Sequence, residues 1–240
     1  MKELFETEGK KGQLLLASLA LFSSEGFDRV SVRDIAKRAG VSEAALYKHF
    51  SGKEEMALYI FRKIINEYTF QVSRIAREPV SAVERLCRIQ KYTYSLYRDD
   101  PESVGFVLLS QYQFWDRLDD AEKPHFWLRM LLEEGIVRRE IAPKPVYLWI
   151  SLYSGLIFEP LIQYRYFFDE MPSWEIFSEE VSESIRSLFG SSGRLLSGSN
   201  FFESGHRPYS DEFSMGEDSG RESLSFGRVM NDKEKAGGEE

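Results

Sequence analysis

A chain of 240 residues, 42% of them hydrophobic, is long enough to bury a real core in one large domain or two small ones. Its one cysteine, Cys87, excludes an internal disulfide, so nothing points to an oxidising compartment. The net charge of −8 excludes the overall basic balance of a non-specific nucleic-acid binder, but residues 1–63 hold eleven cationic and nine anionic side chains, net +2, and the rest of the chain carries −10.

The first predicted helix spans Lys10 to Glu25 and stops at Gly26, with Phe22 and Phe27 placed for the contact that accompanies a Schellman stop. Leu14 to Phe22, after Lys10 and Lys11, could pass for a signal-peptide core. Glu3, Glu6 and Glu8 spoil the positive flank, and cleavage after Ala20 would leave too short an apolar core, so that reading is rejected. Ser31 caps the second helix and Asp34 completes a capping box. Val32, Ile35, Ala36 and Ala39 then repeat at helical spacing. Gly40 permits a left-handed stop, and Ser42 opens a third helix with Val41 and Leu46 at the staple positions. Two short helices joined by a glycine turn make a helix-turn-helix, whose second helix enters the major groove. Ser51 and Glu54 form a capping box for a fourth helix able to run past Tyr68.

Prolines punctuate the remainder. Pro79, Pro101, Pro124, Pro143, Pro145 and Pro172 predict helices near 80–99, 101–115, 121–138, 144–168 and 172–189. No stretch alternates long enough for a sheet, so the expected fold is all-α with about nine helices. Cys87 shares a helical face with Val83, Leu86, Gln90 and Tyr94 and reads as a buried structural thiol. Val146 to Phe158 falls short of the ~20 residues of a membrane span, and no membrane partner is expected. Pro160 should kink that helix, as a bend that fits the bundle. Residues 191–240 turn rich in Gly, Ser and acids, with net charge −4, and read as a disordered acidic tail dispensable for site-specific recognition. Phe201, Phe202, Phe213 and Phe226 within it read as unselected tail rather than short binding motifs.

The run from Ser31 to Lys53 resembles the DNA-binding motif of TetR-family transcriptional regulators. The residues that carry the likeness are Ser31, Ile35-Ala36, Ala39-Gly40-Val41-Ser42, Leu46-Tyr47, His49-Phe50 and Lys53-Glu54-Glu55. Val30 stands where the family often has Thr, and Ala44-Ala45 where it often has Gly-Thr or Gly-Ser. The likeness covers residues 10–68 closely and 80–189 loosely. It implies that Leu14, Ala17, Leu21 and Phe22 face inward in the first helix. It also implies a helix-turn-helix domain over 1–55, a larger helical ligand-binding and dimerisation domain over 56–190, and the tail over 191–240. The helices over Val146–Phe168 and Ser173–Phe189 would pair with their copies in a four-helix homodimer interface.

The candidate DNA-binding residues are Ser31, Arg33, Ser42, Glu43, Ala44, Ala45, Tyr47, Lys48, His49 and Lys53. By resemblance, Tyr47, His49 and Lys53 match positions that hold phosphates, which fixes register rather than sequence. Arg33 suits a guanine edge, Glu43 a cytosine amine, and Ala44 or Ala45 a thymine methyl. The family also implies a small-molecule pocket, and the aromatic content favours a lipophilic or aromatic effector. Tyr92, Phe106, Tyr112, Trp115, Tyr153 and Glu159 are the candidate ligand residues, although aromatics at helical spacing also build ordinary core. His49, His125 and His206 lack metal-ligand spacing, and no nucleophile or phosphate-loop motif occurs, so neither metal, cofactor nor enzymatic activity is expected. The expectation is a cytoplasmic, homodimeric repressor on a palindromic double-stranded DNA operator, released by its ligand. The rival is a helical interaction or enzyme scaffold whose helix-turn-helix does not read DNA.

Overall fold

A computed structural model describes residues 1–6 and 8–190, and the expectations for residues 191–240 lie outside them. Among the described residues every regular element is helical. In order they are α1 (Glu3–Glu6), α2 (Gly9–Glu25), α3 (Val32–Ala39), α4 (Glu43–Tyr47), α5 (Lys53–Ile75), α6 (Ala82–Asp99), α7 (Pro101–Phe114), α8 (His125–Val137), α9 (Val146–Tyr166) and α10 (Trp174–Phe189). Single 3₁₀ turns lie at Trp115–Arg117, Asp120–Glu122 and Phe168–Glu170. The Asp120–Glu122 turn is why α8 begins later than its predicted start near residue 121.

Local chemistry accounts for several of the starts and stops. Ser31 Oγ accepts the Asp34 N–H while the Asp34 carboxylate accepts the Ser31 N–H, the reciprocal box that starts α3. The Ser31 hydroxyl, then its backbone amide, holds the Asp34 carboxyl below the usual range. Gly40 stops α3 at φ 69° and ψ 30°, and the Val41 N–H reaches the Ala36 carbonyl at 3.0 Å, as a Schellman stop requires. Gly26 departs from that pattern. Its ψ of 148° is extended, although the Phe22 and Phe27 rings do meet at 5.4 Å. The box expected from Ser51 and Glu54 is also displaced. It is Glu55 whose carboxylate accepts from the Ser51 amide and hydroxyl, both at 2.7 Å.

Helix α1 was not foreseen. Four residues are too few to show periodicity, yet Phe5 is fully buried and anchors the segment. Asp100 ties it down. Its carboxylate caps α7 through the Ser103 amide at 3.2 Å and hydroxyl at 2.7 Å, and also accepts the Lys2 amide at 3.1 Å.

Two cores form. The first joins Leu14, Leu15, Leu19 and Phe22 of α2 to Ile35, Leu46 and Phe50, to Met56, Ile60, Phe61 and Ile64 of α5, and to Phe106 and Phe114 of α7. The second joins Val72 of α5 and Ala76 just past its end to Leu86 and Tyr94 of α6, Leu131 and Leu132 of α8, Trp149, Tyr153 and Ile157 of α9, and Ile185 and Phe189 of α10. Helix α5 therefore passes residue 56 without a break and serves both cores. Cys87 is buried against the Ser182 carbonyl at 3.6 Å, and burial pushes its thiol pKa up.

Helix α9 runs through Pro160 without interruption. Its apolar stretch is longer than the sequence reading allowed. Val146–Tyr164 reaches a mean hydropathy of 1.2 over 19 residues, enough by length and composition to cross a bilayer. Trp149, Ile150, Tyr153, Ile157 and Leu161 are nonetheless buried in the second core, which is how a core helix packs.

The α6–α8 crossing is the tightest part of that core. A Cβ added at Gly135 would lie 2.7 Å from both Ala82 Cβ and Ile141 Cδ1. Beside it, the buried Arg85 donates to the Ala76 carbonyl at 2.7 Å and to Glu134 at 2.9 Å, so one guanidinium joins the end of α5 to α6 and α8. The Arg85 hydrogen bond holds the Glu134 carboxyl below the usual range, outweighing burial, and Arg138 adds to the effect.

Gly135→Ala should overpack this crossing and cost ~1–3 kcal/mol, lowering the thermal midpoint by about 3–9 °C in a calorimetric comparison. The Arg85–Glu134 pair should also leave a pH signature. Because the folded carboxyl titrates lower than the unfolded one, its contribution is complete above the ordinary carboxylate range and is lost as pH falls through the depressed value. Glu134→Gln should therefore melt earlier than the parent at neutral pH, and the gap should narrow between roughly pH 5 and 3.

Candidate nucleic-acid interface and internal cavity

Helix α4 is only five residues long, and its position depends on what lies beneath it. Leu46 is fully buried and Phe50 nearly so, which pins the segment onto α2, α3 and α5. Ser42 Oγ accepts the Ala45 N–H at 3.2 Å and squares off the first turn. With the apolar side anchored, the opposite side faces water. Ser42, Glu43, Ala44, Lys48 and His49 are exposed, Ala45 is half-buried, and Tyr47 is 54% exposed. Such a large exposed phenol on a helix with so little apolar surface to spare fits a hydrogen-bonding role better than core packing. On α3, Arg33, Lys37 and Arg38 are exposed, and Ser31 is committed to the capping box. The fold thus gathers the ten sequence-predicted DNA residues onto α3, α4 and the start of α5.

Lys53 is the one whose surroundings differ from expectation. Its ammonium donates to the Phe27 carbonyl at 3.0 Å and the Asp28 carbonyl at 3.2 Å, and it lies 4.6 Å from the Phe27 ring centroid. It therefore clamps the α2–α3 loop to the start of α5. One ammonium hydrogen remains for another acceptor.

A cavity of about 730 Å³ lies between α5, α6, α7, α8 and α9. Ile64, Leu96, Val107, Leu108, Leu128 and Ile157 make most of the wall apolar. Of the sequence-predicted ligand residues, Tyr112, Trp115, Tyr153 and Glu159 line it. Tyr112 stands at the solvent side, 92% exposed, and Glu159 is also exposed. The Tyr153 phenol is spent on the Leu86 carbonyl at 2.6 Å, and burial raises its pKa well above the ordinary value.

Two of the predicted ligand residues are elsewhere. Phe106 sits in the first core, 5.8 Å from the Phe22 ring and 6.5 Å from Phe61. Helix α7 is apolar on two sides, so spacing alone did not say which side faced the cavity. Tyr92 stacks on Tyr68 at 5.9 Å, and it is Tyr68 that reaches the wall.

Tyr68, Thr93, Asp116, His125, Ser151 and Ser154 were missed as wall residues, and with Glu159 they supply most of its polarity. Thr93 Oγ1 donates to the Ile89 carbonyl at 2.8 Å, so at 2.9 Å it must accept from the Tyr68 hydroxyl. Burial raises that phenol to about 12. His125 packs edge-on to Trp115 at 4.9 Å, with its Nδ1 buried and without a hydrogen-bond partner among the described residues. Burial, then the nearby Lys123 charge, pushes its pKa down, so the imidazole is neutral at pH 7. No sequence signal marks a lone histidine behind Pro124 as a cavity residue. No group of three or more His, Cys, Asp or Glu able to hold a metal ion occurs among the described residues.

Residues 14–60 match the family of bacterial regulatory proteins described as the tetR family. The chain is 27% identical over 160 residues to the HTH-type transcriptional repressor KstR2 of Mycobacterium tuberculosis, a match spanning 60% of this chain and 78% of that one. It is 27% identical over 103 residues to the HTH-type transcriptional activator FasR of Mycolicibacterium smegmatis, spanning 43% and 47% of the two chains. Among solved structures, the fold resembles the transcriptional regulator FadR from Bacillus subtilis in complex with stearoyl-CoA, at a TM-score of 0.63 and 23% identity over 72% of this chain and 96% of that one. FadR from Bacillus halodurans gives a TM-score of 0.62 at 18% identity, covering 72% and 92%. Residues 14–60 thus carry the DNA-binding segment of the tetR family, and the helical order behind it is the one found in solved transcriptional regulators of that fold.

Proposed function

We propose that this protein is a cytoplasmic, homodimeric repressor that binds a palindromic operator and leaves it when a small lipophilic ligand enters the α5–α9 cavity. The observation that carries the reading is the double use of α5 and α7. Ile64 and Ile65 of α5 belong to the core beneath α4 and also line the cavity. Helix α7 turns Phe106 and Phe114 toward that core and Val104, Val107 and Leu108 toward the cavity. A ligand that prefers one setting of these two helices shifts the population of recognition-helix positions by its differential affinity. Two recognition helices match a palindrome only when their separation fits one DNA turn, so a small change in setting is enough to lose it.

The DNA-reading face is α4 with the N-terminal part of α3. Lys48 is exposed and makes no ion pair among the described residues, which suits a phosphate. On a site selected from random duplexes, Lys48→Ala should lower the salt slope by about 0.9 and weaken all sequences alike. Tyr47→Phe should weaken binding without changing that slope. Unchanged affinity and slope in both variants would overturn α4 as the contact element.

The dimer reading rests on α9 and α10. Tyr147, Leu148 and Leu152 of α9 and Ile176 and Leu188 of α10 are exposed in the single chain, with Tyr147 at 65% and Ile176 at 55%. Obligate interfaces resemble a divided core and often bury more than ~2,000 Å². Sedimentation should show a dimer at micromolar concentration. Leu148→Asp with Ile176→Asp should shift it to monomer with helical content kept, because both sites face solvent in the single chain. A stable monomer in the parent protein would refute this interface.

A further inference from the structure

Acting as the effector site proposed above, and resting on that reading, the α5–α9 cavity has a charge pattern that selects among ligands. We infer that its ligand is a lipophilic cation. Asp116 and Glu159 are the wall residues that carry charge, and no lysine or arginine lines the wall among the described residues. Asp116 is exposed and makes no hydrogen bond or ion pair among the described residues. The one hydrogen bond to Glu159 comes from the neutral Gln163 amide, at 2.7 Å. Neither carboxylate is therefore neutralised by another described residue.

The nearby cations are engaged elsewhere. Arg62 pairs with Glu122 at 3.1 Å, and Lys123 with Asp120 at 3.0 Å. Arg117, next to Asp116 in the chain, borders a separate depression at the start of α5. His125 is neutral at pH 7, so it offers an incoming anion no charge.

An anionic head group would enter beside two like charges, with no lysine or arginine on the wall among the described residues to compensate, and would lose hydration in doing so. A cationic head group meets the reverse. Its alkyl or aromatic part fills the space among Val107, Leu108 and Leu128, and its charge lies between the Asp116 and Glu159 carboxylates and the face of Trp115 or Tyr112. The polar pairs deeper in the wall, such as Tyr68 with Thr93, are already satisfied and demand no charge from the ligand.

Three probes of one chain length separate the cases: decyltrimethylammonium, 1-decanol and decanoate. Each is titrated calorimetrically into the full chain below its micellar concentration, and then into the protein–operator complex. The cation should bind about tenfold tighter than decanoate at low ionic strength, with decanol between them, and the spread should shrink at about 0.5 M salt. The double variant Asp116→Asn with Glu159→Gln should bring the three affinities within about threefold of one another. Decanoate binding as tightly as the cation, or a cation preference that survives the double variant, overturns the charge selection and leaves the effector reading intact. If none of the three binds the chain or displaces operator DNA, the effector reading itself falls, and the inference with it.

Discussion

Helix α5 has to bury both of its halves against different partners, and the rest of the molecule is arranged around that requirement. Met56, Ile60 and Phe61 near its start are fully buried beneath α3 and α4. Val72 and Ala76 near its end are buried in the bundle of α6, α8, α9 and α10. Between them, Ile64, Ile65 and Tyr68 face the cavity. A helix of 23 residues is about 34 Å long, and a rod held at both ends carries a displacement of one end to the other. Polar fastenings reinforce each end. Lys53 holds the α2–α3 loop onto its first turn, and Arg85 holds the carbonyl of Ala76 just past its last.

The fastenings are built from unlike chemistry, and that difference sets how each responds to solvent. Glu8 shows the balance plainly. Burial alone would raise its pKa, but the ammonium groups of Lys63 and Lys11 and the Tyr59 hydroxyl outweigh it, so the carboxyl stays ionised and bridges α2 to α5. Arg85 is more deeply buried, with its Nε and Nη2 lacking partners among the described residues, so its two good hydrogen bonds must offset a real desolvation cost. Such a group contributes to where helices sit more than to net stability.

Much of the fold was legible in the sequence. The Ser31–Asp34 box, the Gly40 stop and the prolines mark helix ends through local chemistry, and the helix over 101–115 was placed to within one residue of α7. The failures share a cause. Periodicity identifies an apolar face but not the neighbour that covers it. Phe106 and Tyr112 both sit on α7 among apolar neighbours, yet one is sealed in the first core and the other stands at the cavity mouth. The exchange of Glu54 for Glu55 beside Ser51 is a matter of one residue's direction around the helix, which depends on the extended Gly52. The short α1 owes its existence to one buried phenylalanine, a tertiary contact with no local signature.

The two-sided character of α7 also sets where this regulator can be retuned. A side chain enlarged on the cavity side of α7 presses, through a single turn of helix, on Phe106 and Phe114 and so on the core that seats α4. The α9 wall does not press on the first core, because Ser151, Ser154 and Gly155 are small residues on a helix outside it. Change in the shape of the cavity is therefore cheapest along α9, where enlarging a serine narrows the space while α3 and α4 keep their footing.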